Sequence, residues 1–203
     1  DIFPKTRDIN ASGDYIMINK TNEIIDSIFL DHNSAISTFK FDKENTLVSE
    51  DTLYNFDIYK LKKPLFPGDS LKLSFTVKNK PNTLLRNNSS VLYNGTFINN
   101  SYLPSLGYSG GELRDDKTRE KYDLPPNKLK PHPSDSTALG NTYISKDSDW
   151  IDFEAIVSTS KDQIAIAPGY LQKEWVENDR RYFHYKMDSK ILNFYAFNSA
   201  KYE

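Results

Sequence analysis

The stretch "GDSLKLSFTVKNK", Gly68 to Lys80, constrains this chain most. Leu71, Leu73, Phe75 and Val77 fall on one side of a pleated strand, and Lys72, Ser74, Thr76 and Lys78 fall on the other. A period this clean cannot be satisfied by a helix. Pro67-Gly68 just before it marks a turn that reverses the chain from a strand over Leu53 to Leu61. Shorter runs read as strands at Asp14 to Lys20, Ile24 to Leu30, Ser37 to Phe41 and Val91 to Ile98. Further strands follow at "DWIDFEAIVST", where Ile151, Phe153, Ala155 and Val157 alternate, and at "DQIAIAPG". The last twenty or so residues add two more, through Phe183, Tyr185 and Met187 and then Leu192, Phe194 and Ala196, separated by Asp188-Ser189-Lys190. Many short strands with turn residues between them are the pattern of an all-β, antiparallel sandwich or large sheet. With 203 residues, the chain reads as a single β-domain over 1–203.

One segment departs from the pattern. Glu112 to Tyr122 carries good helix formers and stops before Pro125-Pro126, so a short surface helix is expected there. It lies inside a polar, Pro-rich excursion from Leu103 to Asn141, long enough that function or poor order is the usual reason for it.

The composition excludes several chemistries. Lys plus Arg number 26 against 28 Asp plus Glu, which gives no electrostatic footprint for nucleic acid or an anionic membrane surface. The absence of cysteine removes thiolate zinc sites, a cysteine nucleophile and disulfides. No apolar run approaches the roughly 18 residues of a membrane span. His32, His132 and His184 stand in unrelated contexts without a His-Glu-x-x-His pair, and neither a P-loop nor a Gly-x-Ser-x-Gly elbow occurs. His184 reads as a surface or cross-strand histidine. Carboxylate pairs such as Asp115/Asp116, Asp147/Asp149 and Glu174/Glu177 read as solvated faces or loops. The Asn-x-Ser/Thr tripeptides beginning at Asn10, Asn19, Asn87, Asn88, Asn94 and Asn99 are what chance gives in an Asn-rich chain. No catalytic residue, metal ligand or cofactor site is therefore expected in these residues.

The series "PLFPGDSLKLSFTVKN", "NGTFINNSYLPSLGY" and "HYKMDSKILNFYAFNSAKYE" resembles the N-terminal β-domain of aminopeptidase N-like zinc metallopeptidases, the gluzincins. "LPSLGYSGGELRDDKTREKY", "DWIDFEAIVSTSKDQIAIAPGYLQKEW" and "RRYFHYKMDS" are most similar to a bacterial subgroup in which such a region follows a membrane segment resembling an ABC transporter permease. The resemblance implies a saddle-shaped antiparallel domain with no catalytic role of its own. Its partner would be a catalytic domain of the same parent chain, following residue 203, and zinc would sit there, on a His-Glu-x-x-His motif and a downstream Glu. Peptide substrate would be met only through that domain. It implies a membrane-tethered parent, reaching the membrane only through another segment, with this domain on the extracytoplasmic, periplasmic side.

In this family a segment similar to "NGTFINNSYLP" contributes a Gln or Glu facing the active site. The corresponding substrate-facing candidates here are Asn94, Asn99 and Asn100, which depart from that pattern, and amides of this kind also serve turns. The expected interface with the catalytic domain lies at Tyr102, Tyr108, Tyr195 and Phe197, as an exposed apolar patch. The residues alone leave a second reading open: a stand-alone carbohydrate- or protein-binding sandwich using Trp150, Tyr170, Trp175 and Tyr182 and the long loop. Against it, aromatic side chains of this size are more often core.

Overall fold

The computed structural model describes residues 1–32, 36–81, 89–107, 115–126, 131–138 and 149–202. In chain order the first strands are β1 (Ile2–Phe3), β2 (Asp8–Ile18), β3 (Ile25–Asp31), β4 (Ile36–Phe41), β5 (Asn45–Asp51), β6 (Phe56–Leu65), β7 (Ser70–Asn79), β8 (Thr96–Asn99) and β9 (Ser105–Leu106). After the helix α1 (Asp116–Lys121) come β10 (Trp150–Ile151), β11 (Glu154–Ser160), β12 (Ile164–Ile166), β13 (Tyr170–Glu177), β14 (Arg180–Lys186), β15 (Ile191–Leu192) and β16 (Ala196–Ala200). All pairings are antiparallel, and the chain is an all-β protein with open sheets. The residues divide into two compact units, Asp1–Tyr108 with Trp150–Glu203, and Ser109–Asp149.

Within the larger unit, one sheet has the order β1-β2-β7-β4 and another β5-β6-β3-β9. The alternation in β7 fixes how they meet: Leu71 and Leu73 are buried with Ile28 and Leu30 of β3, Phe41 of β4, and Leu61 and Leu65 of β6. The turn at Pro67-Gly68 forms as expected, but it carries the chain from one sheet into the other, and β6 and β7 do not pair as a hairpin. Buried Asn19 holds this crossing, donating from Nδ2 to the Leu65 carbonyl (3.1 Å) while its own carbonyl accepts from Gly68 N (2.8 Å).

A second core gathers Ile2, Ile9, Val91, Ile98, Phe153, Val157, Ala165, Phe183, Tyr185 and Tyr195. It is walled by the sheets β11-β14-β13 and β12-β16-β8. The strand expected over Val91 to Ile98 forms only from Thr96. Before it the chain turns at Gly95, whose φ is +86°, and Thr96 Oγ1 satisfies both Leu92 N and Leu92 O at 3.1 Å. Behind β16 a largely buried polar network ties β11 and β16 to the turn before β12 and to the loop at Tyr93. Thr159 and Ser199 hydroxyls meet at 2.6 Å, Ser199 Oγ donates to Gln163 Oε1 at 2.7 Å, and Gln163 Nε2 donates to the Tyr93 carbonyl at 2.6 Å.

In the smaller unit the helix starts later than the sequence suggests. Asp115 is extended and caps it, accepting from Thr118 N (2.9 Å) and Thr118 Oγ1 (2.7 Å), while residues 112–114 fall outside the described ones. It ends at Tyr122, where Asp123 takes a positive φ of 54° ahead of Pro125.

Candidate functional site

The segment singled out for substrate contact folds as the junction of β8 with β16, where Asn99 lies opposite Ala196 and Ile98 opposite Phe197. Its three amides all hold backbone. Asn99 Oδ1 accepts from Ser101 N (3.1 Å) and Ser101 Oγ (2.5 Å), capping a single 3-10 turn over Asn100–Tyr102. Asn100 Nδ2 donates to the Asn193 carbonyl at 2.9 Å, and its backbone N–H donates to the Tyr195 carbonyl at 2.9 Å. Asn94 sits at the far end of the same strand pair and accepts from Lys201 N at 2.7 Å. The fold thus brings Asn99 and Asn100 together beside Tyr195 and Phe197, and sets Asn94 apart.

The expected interface residues divide. Tyr195 is 7% exposed, inside the second core against Phe153 (ring centroids 4.8 Å), so it offers no surface. Burial, the largest cause for each, raises the pKa of its phenol and of the Tyr15 phenol. Phe197 is partly buried against the same core. Tyr102 is half-buried and donates from its hydroxyl to Ser90 Oγ at 2.6 Å. Tyr108 lies outside the described residues. The exposed apolar patch expected at Tyr195 and Phe197 belongs instead to their neighbours of opposite parity, Phe194 and Phe97. The sequence pattern missed this because Ala196, a small residue at the head of β16, hides which side of the strand faces in.

The aromatic residues proposed for sugar stacking are not gathered into a platform. Trp175 and Tyr182 stand opposite one another on β13 and β14 and stack at 5.1 Å with 11° between their planes, and Lys173 Nζ lies 5.2 Å from the Trp175 ring. Their stacking surfaces are spent on each other and on the lysine. Tyr170 and Trp150 are exposed on separate strands. On the same outer face His184 Nε2 meets Glu154 Oε1 at 2.7 Å across the β11–β14 pair, and that hydrogen bond, with one from Lys186, lowers the Glu154 pKa. The cross-strand reading of this histidine holds.

One polar cluster escaped the sequence reading. Asp57 and His32 lie between the first two sheets, with His32 Nε2 3.5 Å from Asp57 Oδ2, Tyr59 donating to the same oxygen at 3.2 Å, and the imidazole 5.2 Å from the Phe39 ring. Burial, followed by the Asp57 charge, pushes the Tyr59 phenol up to about 12. The signal was present: in "FDIYKL" Asp57 shares the core-facing parity of Tyr59 and Leu61. One His and one Asp do not make a catalytic metal site, which needs about three protein ligands. Among the described residues no group of three His, Asp or Glu is placed to hold a metal ion. None of the described helices is long and apolar enough to cross a membrane.

No protein-family model and no curated protein matches the chain. Among solved structures, it is similar to an M1 zinc metallopeptidase from Deinococcus radiodurans, with a TM-score of 0.50 and 16% identity over 92% of this chain. It is equally similar to a mutant of that enzyme bound to a Tyr-Ser-Ala substrate, at 0.50 and 16% over 93%. The chain spans only about 38% of the length of those solved chains. At this identity the likeness establishes a shared fold.

Proposed function

We propose that this chain is the non-catalytic N-terminal β-domain of a zinc aminopeptidase-like protein, supporting a catalytic domain and lining one side of its substrate cleft. The observation that carries the reading is the fold likeness, which takes in 93% of this chain but only 38% of an M1 zinc metallopeptidase chain. The ordered motif series from Pro64-Leu65 through "NGTFINNSYLP" to the last strands supports it independently. Zinc, and the bond-breaking step it assists by activating water and polarising the scissile carbonyl, would belong to the catalytic domain. What these residues do is structural: Asn99 and Asn100 hold a turn, which on this reading would stand beside that cleft.

A membrane-tethered parent of the permease-fused bacterial kind, with this domain on the periplasmic side, rests on the sequence resemblance alone. Reading the parent gene product beyond Glu203 tests the whole proposal. A Gly-x-Met-Glu-Asn-like segment followed by His-Glu-x-x-His is the expected finding, and an unrelated module there would remove the proposal. Peptide hydrolysis by the purified 203-residue chain would contradict its non-catalytic role.

A further inference from the structure

We infer that β13 pairs edge to edge with β13 of a second copy of this chain, forming a twofold-symmetric dimer through one continued sheet. The inference is independent of the function proposed above. β13 is the outer strand of the sheet β11-β14-β13, and each of its residues except Trp175 is exposed. Leu171 is 48% and Val176 53% exposed, both on the side of the sheet where Phe183 and Tyr185 enter the core. The β13–β14 hairpin thus stands out past the core. Its outer strand turns apolar side chains and a row of backbone N–H and C=O groups to solvent, a template for another strand.

Local geometry sets the register. The ladder slips between Leu171 and Lys173, and the hairpin turns at Asn178 and Asp179, whose φ values are 49° and 59°. Regular strand therefore runs from Lys173 to Glu177, with Trp175 at its centre. Directly opposed antiparallel residues point to the same side, and around a twofold axis residue i meets j while j meets i. The arrangement that pairs all five residues sets Trp175 against Trp175 of the second copy. It also sets Lys173 against Glu177, and Glu177 against Lys173, on one face.

Charge identifies the occupant as a second copy. Glu177 lies opposite Arg180 in the hairpin, but the Arg180 guanidinium turns away to the Ile2 carbonyl (2.9 Å) and Ser158 Oγ (2.7 Å). Glu177 makes no ion pair among the described residues. Lys173 lies opposite His184, and its Nζ rests 5.2 Å from the Trp175 ring, again without a carboxylate. Glu174 is already matched by Arg181 at 2.6 Å. The pairing brings the two unmatched charges together twice and opposes no like charges. An edge lysine ordinarily repels a second copy, whereas here it meets a carboxylate. Other edge strands lack this fit. After its slip β5 would set Glu50 against Glu50, and β4 carries Lys40 with no carboxylate.

Sedimentation equilibrium of the 203-residue chain at low salt, from micromolar concentration to about 1 mM because so short a pairing is weak, tests this. A dimer should form as the concentration rises, and amide exchange over residues 173–177 of the unaltered chain should slow with it. Lys173→Glu and Glu177→Lys each oppose like charges at both ends of the pairing and should weaken the dimer roughly tenfold. The double variant exchanges the charges and should restore most of the loss. A chain that stays monomeric throughout would overturn the inference, as would a dimer indifferent to the single changes or not rescued by the double one. Slowed exchange in β13 of a monomeric parent protein would assign the edge to another part of the parent and overturn it too, leaving the proposed function standing.

Discussion

At Gln163 a single buried amide closes the polar network at the second core, bridging two hydroxyls and the Tyr93 carbonyl. Gln163→Ala leaves these partners unsatisfied, and urea unfolding should show a loss of about 2–3 kcal/mol. Gly169 is constrained differently. Its φ is +104°, and a Cβ there would lie 2.5 Å from the Lys186 carbonyl carbon and oxygen, atoms that cannot step aside. Gly169→Ala should therefore destabilise by about 2–4 kcal/mol in the same experiment. Neither role was legible in sequence. Gln163 sits in a turn-like "KDQ", and its partners come from residues 70 and 36 positions away. The asparagines were half legible: their residue type points to turns, and turns are what Asn99 and Asn100 hold. Which side of β16 faces inward needed the cross-strand register.

At the scale of elements, the alternation of β7, β11 and β14 was legible, and β3 was found despite its slip between Ile25 and Ser27. The strand expected through Leu192, Phe194 and Ala196 is instead split into β15 and β16, with Phe194 65% exposed, and two slipped strands were lost. β5 slips register between Leu47 and Ser49, and β13 between Leu171 and Lys173. Each extra residue moves the following side chains to the opposite face, so "NTLVSED" and "YLQKEWVE" show no alternation to find. The switch of sheets at Pro67-Gly68 was equally hidden, since a turn sequence does not say which strand it delivers the chain to. Because the Trp175–Tyr182 stack lies on an outer face, Trp175→Ala should cost only about 1 kcal/mol in urea unfolding. The helix α1 responds to acid. Hydrogen bonds from Thr118, first from its side chain and then from its backbone, lower the pKa of Asp115 below its ordinary 3.8. A carboxylate with a lowered folded-state pKa stabilises above its unfolded value and loses that contribution as the pH falls through the folded one. Protection of the Thr118 amide, taken relative to a free amide at the same pH, should fall below pH 3.8, and Asp115→Ala should show the lower protection already at neutral pH.

For the molecule as a whole, the fold class was the most legible property, because an all-β pattern depends on composition and period two alone. The division of the core in two was not, since both halves draw on distant strands. The buried phenols give the larger unit a pH signature. Burial, and for Tyr15 also its contact with Tyr195, raises Tyr15 and Tyr195 above the ordinary 10, and Tyr59 rises to about 12 through burial and the Asp57 charge. A raised folded-state pKa contributes stability that is complete below the unfolded value and is lost as the pH climbs through the folded one. Stability should therefore decline as the pH climbs above about 10, and Tyr59→Phe should soften that decline in urea unfolding series.

The central claim is that the metal chemistry of the parent lies outside these residues while their fold serves it. Zinc content measured on the purified parent protein and on the 203-residue chain, after the same exposure to zinc and the same dialysis, tests it most directly. The account predicts stoichiometric zinc retained by the parent and none by the short chain. Zinc retained by the short chain, or a parent that binds none, would contradict it.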